Sequence, residues 1–134
     1  MGVRTLIIDD SAFMREIIRQ HLEFLGCQIV GEAENAAQAL QLFKALKPEL
    51  VTIDVVMPQV DGIDAISAFR KMRAENPNLS VLVMSAMPFN RTREVFLAEG
   101  AIDYLVKPLT AQGFRQTARK LKQLFPDLRD VEAS

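Results

Sequence analysis

The stretch from Leu6 to Gly26, LIIDDSAFMREIIRQHLEFLG, changes its hydrophobic period part-way, and that change decides the fold. Leu6, Ile7 and Ile8 are apolar at consecutive positions, and two acids, Asp9 and Asp10, end the run. Phe13, Met14, Ile17, Ile18, Leu22 and Leu25 then recur at the spacing of one helix face, and Gly26 suits a left-handed cap. A strand apolar at consecutive residues is one covered on both faces. An amphipathic helix directly behind it opens a parallel crossover.

The same unit recurs outward from this stretch. Gln28–Val30 reads as a short edge strand, and Ala36, Ala39, Leu40, Phe43 and Leu46 as a helix stopped by Pro48. Leu50–Ile53 is a strand ending at Asp54. A helix is expected from Asp61 to about Ala74, with Ile63, Ile66, Phe69 and Met72 on its apolar stripe and Asp61-Gly62 as turn and start. Val81–Met84 ends at Ser85, and Arg91–Glu99 is a helix closed by Gly100. Ile102–Val106 ends at Lys107-Pro108, and Ala111–Phe125 is the last helix, with Phe114, Ala118, Leu121 and Phe125 on one face. Five strand–helix units predict an α/β fold: a doubly wound, five-stranded parallel sheet with helices on both faces. The polar residues 127–134 are expected to fray.

Composition narrows the function. The chain has 134 residues with 16 Lys and Arg against 17 Asp and Glu, so it lacks the basic surplus of a dedicated nucleic-acid or polybasic membrane binder. No apolar run is long enough to span a bilayer. The start, MGVRTLIIDD, is not a signal peptide, and Leu6 stands where a myristoylation motif wants Ser or Thr. One cysteine, Cys27, allows no internal disulfide and no cysteine-based metal site; it reads as a small apolar residue, and a reducing cytoplasm is the expected setting.

Asp9, Asp10, Asp54, Ser85 and Lys107 each fall at the carboxyl end of a predicted strand, and in an open parallel sheet those ends gather where ligands bind. Taken singly, each has a bland reading: Asp9-Asp10 with Ser11 caps a helix, and Lys107-Pro108 makes a turn. Together they have a chemistry. Crowded carboxylates repel unless a cation intervenes. A hard divalent ion such as Mg2+ takes one or two carboxylates and keeps room for waters and substrate oxygens. An ammonium and a hydroxyl beside them complete a clamp for a transferring phosphoryl group, with a carboxylate as nucleophile.

LIIDD with Asp9-Asp10, IDVVMPQVDG with Asp54, Met57-Pro58 and Asp61-Gly62, VMSAM with Ser85-Ala86, and DYLVKP with Tyr104, Lys107 and Pro108 together resemble a response-regulator receiver domain of two-component signalling, of the stand-alone CheY-like type. The likeness runs from about Val3 to Leu124. It implies a flavodoxin-like fold of strand order 2-1-3-4-5, with the receiver over residues 1–126 and a short tail over 127–134. Asp54 matches the phosphoacceptor. Asp10, Asp54 and the Val56 carbonyl match ligands of Mg2+, for which Mn2+ is an acceptable substitute, and Asp9 matches the acid that holds the ion through water. Lys107 matches the lysine that pairs with Asp54 and then with the phosphoryl oxygens. Ser85 matches the hydroxyl that moves to the phosphoryl group, and Tyr104 the aromatic switch that turns inward behind it. The resemblance also implies a sensor histidine kinase as donor and a target protein on the face of the fourth helix, fifth strand and fifth helix, in chemotaxis or another pathway. It implies no enzyme activity beyond the domain's own phosphoryl transfer and dephosphorylation, no direct contact with nucleic acid, no membrane insertion, and a monomer or a weak dimer linked to phosphorylation.

Certain residues set this chain apart. Val56, two after the acceptor, and Met87, two after Ser85, rim the pocket and cannot orient a water; they imply a long-lived phosphoryl group, or else simply pack there. Pro88 either narrows the freedom of the loop before the fourth helix or simply starts that helix, and Phe89 beside it is either exposed to a partner or packed in the core. His21 lies away from the acidic cluster. From Tyr104 to Pro126 there is no acid, and Arg115, Arg119 and Lys122 share a stripe that is either a solvated face or a dock for an acidic partner. A phosphatase with an aspartyl nucleophile is the enzymatic rival, but Val56 stands where its second acid belongs. A receiver cut from a longer regulator would keep the same fold and chemistry.

Overall fold

The computed structural model describes residues 2–87 and 91–130. The strands are β1 (Val3–Ile8), β2 (Cys27–Ala33), β3 (Leu50–Asp54), β4 (Ser80–Ser85) and β5 (Asp103–Val106). The helices are α1 (Ala12–Leu25), α2 (Ala36–Leu46), α3 (Ala65–Glu75), α4 (Arg91–Ala98) and α5 (Ala111–Leu124). The sheet is parallel throughout, in the order β2-β1-β3-β4-β5, as the family resemblance implied. It is a flavodoxin-like doubly wound fold.

Two hydrophobic layers enclose the sheet. Leu6, Ile8, Val51, Ile53, Val81 and Val83 face α2, α3 and α4, where Phe69 and Phe96 meet edge to face at 5.0 Å. Val3, Ile7, Leu50, Leu82, Met84 and Leu105 face α1 and α5. Alternate residues of one strand thus feed opposite layers, which is why the central strands are apolar at nearly every position. Ser11, Asn35, Asp64 and Thr110 cap their helices by accepting a backbone N–H three residues on, and Gly26 closes α1 at φ 105°.

The structure corrects the sequence reading in places. β2 runs from Cys27 to Ala33 and β1 begins at Val3, because pairing continues past the apolar core of each strand. Register shifts between Thr5 and Leu6, and at Gly31, opposite Leu6, a Cβ would come within 2.7 Å of Leu46 Cδ1, so the end of that leucine would have to shift. Asp61 and Gly62 form a turn, but no helix starts at them. Both have positive φ, 57° and 71°, and Ile63 N–H closes the turn on the Val60 carbonyl at 3.1 Å. Two consecutive left-handed residues favour Asp-Gly and exclude helix, so α3 starts at Ala65 under the Asp64 cap.

The tail does not fray where it is described. Leu128 is buried, and the Arg129 N–H donates to the Leu25 carbonyl at 2.8 Å. Lys122 Nζ donates to the Pro126 and Leu128 carbonyls. One apolar residue in a polar tail was enough to fold it back against the end of α1. The readings made for Pro88 and Phe89 fall outside the described residues. Cys27 is buried, and burial pushes its thiol up to about 11, so it acts as a small apolar residue.

Candidate functional site

The carboxyl ends of β1, β3, β4 and β5 bring the candidate residues to one edge. Asp9 follows β1 and is fully buried; Asp10 beside it is exposed; Asp54 ends β3 and is buried. One carboxylate oxygen from each lies within 4.8 Å of the others. Lys107, after β5, joins two of them: its Nζ stands 2.6 Å from Asp9 Oδ2 and 3.2 Å from Asp54 Oδ2. The Lys107–Pro108 peptide bond is cis.

The electrostatics follow from this crowding. Burial raises the Asp54 carboxyl above its ordinary value, and the Asp9 charge adds to that; Lys107 and the Val56 N–H, 3.3 Å from Asp54 Oδ1, pull the other way. For Lys107 burial opposes the charge, but the hydrogen bond to Asp9 and the charge of Asp54 outweigh it and raise the ammonium's pKa. Three carboxylates with a single close ammonium leave surplus negative charge on hard oxygens. That donor set, open at Asp10, fits a hard divalent cation.

Asp9 is held on every side. Its N–H donates to the Ala33 carbonyl at 3.0 Å, Oδ1 accepts from Ser11 N–H at 2.9 Å, and its own carbonyl accepts from Arg15 Nη1 at 2.7 Å. Arg15 Nε in turn donates to Glu32 Oε1 of β2 at 3.0 Å, and Arg19 also pairs with Glu32. This buttress was not read from the sequence. An arginine on an amphipathic helix looks solvated, and the strand read over Gln28–Val30 stopped short of Glu32.

Ser85 is buried at the end of β4, and its Oγ accepts from the Met87 N–H at 3.0 Å. Tyr104 is buried too, and its hydroxyl donates to the Met87 carbonyl at 3.0 Å. The serine and the tyrosine therefore meet at one residue, Met87, through its N–H and its carbonyl, a link that main-chain groups carry and no sequence motif marks. The side chains of Val56 and Met87 are exposed, at 56% and 51%. His21 is engaged elsewhere, with its ring 4.9 Å from that of Phe114 and Nδ1 against the Ile17 carbonyl at 2.9 Å. Lys122, committed to the tail, leaves the basic stripe of α5.

The family model described as "Response regulator receiver domain" matches residues 5–119. The chain belongs to the response-regulator receiver domains. It is 41% identical over 108 residues to the chemotaxis protein CheY of Thermotoga maritima, covering 81% of this chain and 88% of that protein. It is 38% identical over 120 residues to the CheY of Bacillus subtilis, covering 90% and 98%. The response regulator domain of Thermotoga maritima CheB shares the fold at TM-score 0.68 and 29% identity, with 92% of each chain covered. A CheY of Borrelia burgdorferi, solved in complex with CheX, BeF3 and Mg2+, shares the fold at TM-score 0.78 and 24% identity, covering 90% and 87%. No helix among the described residues is long and apolar enough to cross a membrane.

Proposed function

We propose that this receiver is a cytoplasmic phosphorylation switch that accepts a phosphoryl group on Asp54. The observation that carries the reading is the Lys107 ammonium shared between buried Asp9 and Asp54, 2.6 and 3.2 Å away, with a third acid alongside. An Asp54 oxygen attacks phosphorus, and the P–N bond of a kinase phosphohistidine, or the P–O bond of a small acyl phosphate, breaks. The product is an aspartyl phosphate, and hydrolysis later returns the carboxylate and inorganic phosphate. Asp10, Asp54 and the Val56 carbonyl would hold Mg2+, with Asp9 reaching it through water; the ion neutralises charge on the phosphoryl oxygens. No other substrate is turned over.

Phosphorylation adds about −1.5 to −2 charges and three acceptor oxygens. Lys107 and Ser85 are the near donors. For Ser85 to reach the phosphoryl group it must release the N–H of Met87, the residue whose carbonyl also holds the Tyr104 hydroxyl. Two charge-assisted hydrogen bonds of about 1.5 to 3 kcal/mol each match the roughly 5.5 kcal/mol needed to carry a switch from 1:99 to 99:1. The altered surface is α4, β5 and α5, offered to a target protein. The CheY relatives favour chemotaxis as the pathway, with a sensor histidine kinase as donor. A second reading, a module of a longer regulator, is favoured by relatives such as the Bacillus subtilis response regulator DctR, of which the match spans only 52%. The chemistry at Asp54 is the same in either.

Incubation with acetyl phosphate and Mg2+ should add the mass of one phosphoryl group to the intact chain, and Asp54→Ala should abolish the gain. A wild-type chain that gains nothing while folded overturns the proposal.

A further inference from the structure

The thioether of Met87 stands exposed beside the phosphoryl pocket. Of the five methionines among the described residues, Met72 and Met84 are buried, Met14 and Met57 are half-buried, and Met87 is 51% exposed. Cys27 does not compete for an oxidant: it is buried, and burial pushes its thiol up to about 11, so the reactive thiolate is scarce. Met87 therefore carries the most accessible sulfur among the described residues.

Its main chain fixes it beside the reacting group. The Met87 N–H donates to Ser85 Oγ at 3.0 Å, and its carbonyl accepts from the Tyr104 hydroxyl at 3.0 Å. Ser85 ends β4, the strand on which Met84 pairs with Asp54 of β3. Both main-chain groups are thus tied inward, while the side chain stands in solvent at the rim. The same number of bonds leads from Cα to Sδ in methionine as from Cα to Cδ in glutamate or glutamine. An oxygen added to Sδ therefore takes the place of their Oε. Oxidation makes an apolar rim residue polar, with an acceptor at the length that can hold a water.

We propose that Met87 is an oxidation site through which peroxides shorten the life of the phosphoryl group on Asp54. The Sδ lone pair attacks one peroxide oxygen, the O–O bond breaks, and the hydroxide or alkoxide released takes up a proton. Sulfur loses two electrons and the peroxide gains them, giving the sulfoxide and water or an alcohol. The sulfoxide oxygen then accepts a hydrogen bond from a water that attacks phosphorus. The P–O bond to Asp54 breaks, leaving the carboxylate and inorganic phosphate, and one proton passes to solvent. Sulfoxide reductases reverse the oxidation. The inference rests on the reading of Asp54 as phosphoacceptor.

Dilute hydrogen peroxide on the full chain tests it, with peptide mapping for the added oxygen and intact mass for the phosphoryl group after acetyl phosphate and Mg2+. Met87 should gain one oxygen well before Met72 and Met84. The oxidised chain should still take up a phosphoryl group and lose it several-fold faster than the untreated chain. Methionine sulfoxide reductase with dithiothreitol should restore the slow loss. Met87→Leu keeps the rim apolar without sulfur, and its rate of loss should be the same with and without peroxide. Met87→Gln carries an oxygen at that place and should lose the group quickly without peroxide. Met87 left unoxidised while Met14 or Met57 reacts, or an oxidised chain with unaltered loss, overturns the proposal. So does a Met87→Leu chain that peroxide accelerates as much as the wild type. An untreated chain that takes up no phosphoryl group overturns the reading of Asp54, and the proposal with it.

Discussion

At the carboxyl edge of the sheet one lysine is shared by two carboxylates, while at the amino edge a set of cations answers main-chain carbonyls. Above, Lys107 is shared by Asp9 and Asp54. Below, Arg4 donates to the Leu46 carbonyl, Arg73 to the carbonyls of Pro77 and Leu79 at 2.9 and 2.7 Å, and Lys122 to those of Pro126 and Leu128. Those carbonyls lie at or just beyond helix ends, where the backbone leaves acceptors over. A cation on a carbonyl has one arrangement and a structural job. A cation between two carboxylates can be redistributed by a new anion or a metal, so that edge can have two states.

One substitution at each edge tests the contrast, and the largest effect is expected above. Without divalent cation, Lys107→Met should lower the unfolding free energy by about 3 kcal/mol, because it strands buried carboxylates. Urea titration measures it, and a loss under about 1 kcal/mol would mean that the ammonium is not what neutralises the pair. At the amino edge Leu128→Ala should cost about 2 kcal/mol through lost burial and leave phosphoryl uptake at Asp54 untouched. A slowed uptake would show that the two edges are coupled.

The contrast also explains what the sequence made legible. Leu50–Asp54 and Ser80–Ser85 announced themselves, because strands buried on both faces are apolar at nearly every position and carry no charge before the functional residue at the end. Asp9, Asp10, Asp54, Ser85 and Lys107 were found for the same reason: each breaks an apolar run at one edge. Arg15 and Glu32 were not, since their importance lies in a helix-to-strand contact across the β1–β2 crossover. The helix read from Asp61 failed because an apolar period does not report positive φ. The tail failed because a single buried Leu128 leaves no period at all.

The Arg15 buttress gives the next effect in size. Arg15→Ala should weaken Mg2+ binding about tenfold by loosening the Asp9 turn, as losses behind a metal site commonly do, with isothermal titration as the measurement. Unchanged affinity would reduce Arg15 to a surface ion pair. Glu32 adds a pH signature. Its hydrogen bond to Arg19 holds the carboxyl below its ordinary value, against burial and with help from Arg15. The folded pKa is therefore below the unfolded one of about 4.3. The stability contributed is present above that value and is lost as pH falls through the folded pKa. Glu32→Gln should flatten this part of the acid limb, and an unaltered limb places the titration elsewhere.

Smaller still is the effect of the exposed rim. Val56→Asn with Met87→Glu supplies polar groups that can orient a water at the Asp54 phosphoryl group. The double variant should lose its phosphoryl mass several-fold faster than the wild type, worth about 1 kcal/mol in barrier. Because both side chains are exposed, its thermal stability should not move. Equal loss in the wild type sinks the reading and leaves the two residues as simple covering.

The smallest effect probes how far the upper edge's chemistry reaches into the sheet. Thr52 lies one pleat below Asp54 on β3, between Ile7 and Leu82, and its buried hydroxyl has no hydrogen-bond partner among the described residues. Two other buried threonines are satisfied: Thr5 donates to the Val3 carbonyl at 2.9 Å and Thr117 to Asp103 Oδ2 at 2.7 Å. An unpaired buried hydroxyl costs stability and a methyl of the same shape does not, so Thr52→Val should be neutral or stabilising by up to about 1 kcal/mol. Thr117→Val, which strips a partner from Asp103, should destabilise. If Thr52→Val destabilises instead, the hydroxyl is answering the charge above it. The boundary between the edge that can rearrange and the frame that cannot would then lie a full layer deeper than the ring of Asp9, Asp54 and Lys107.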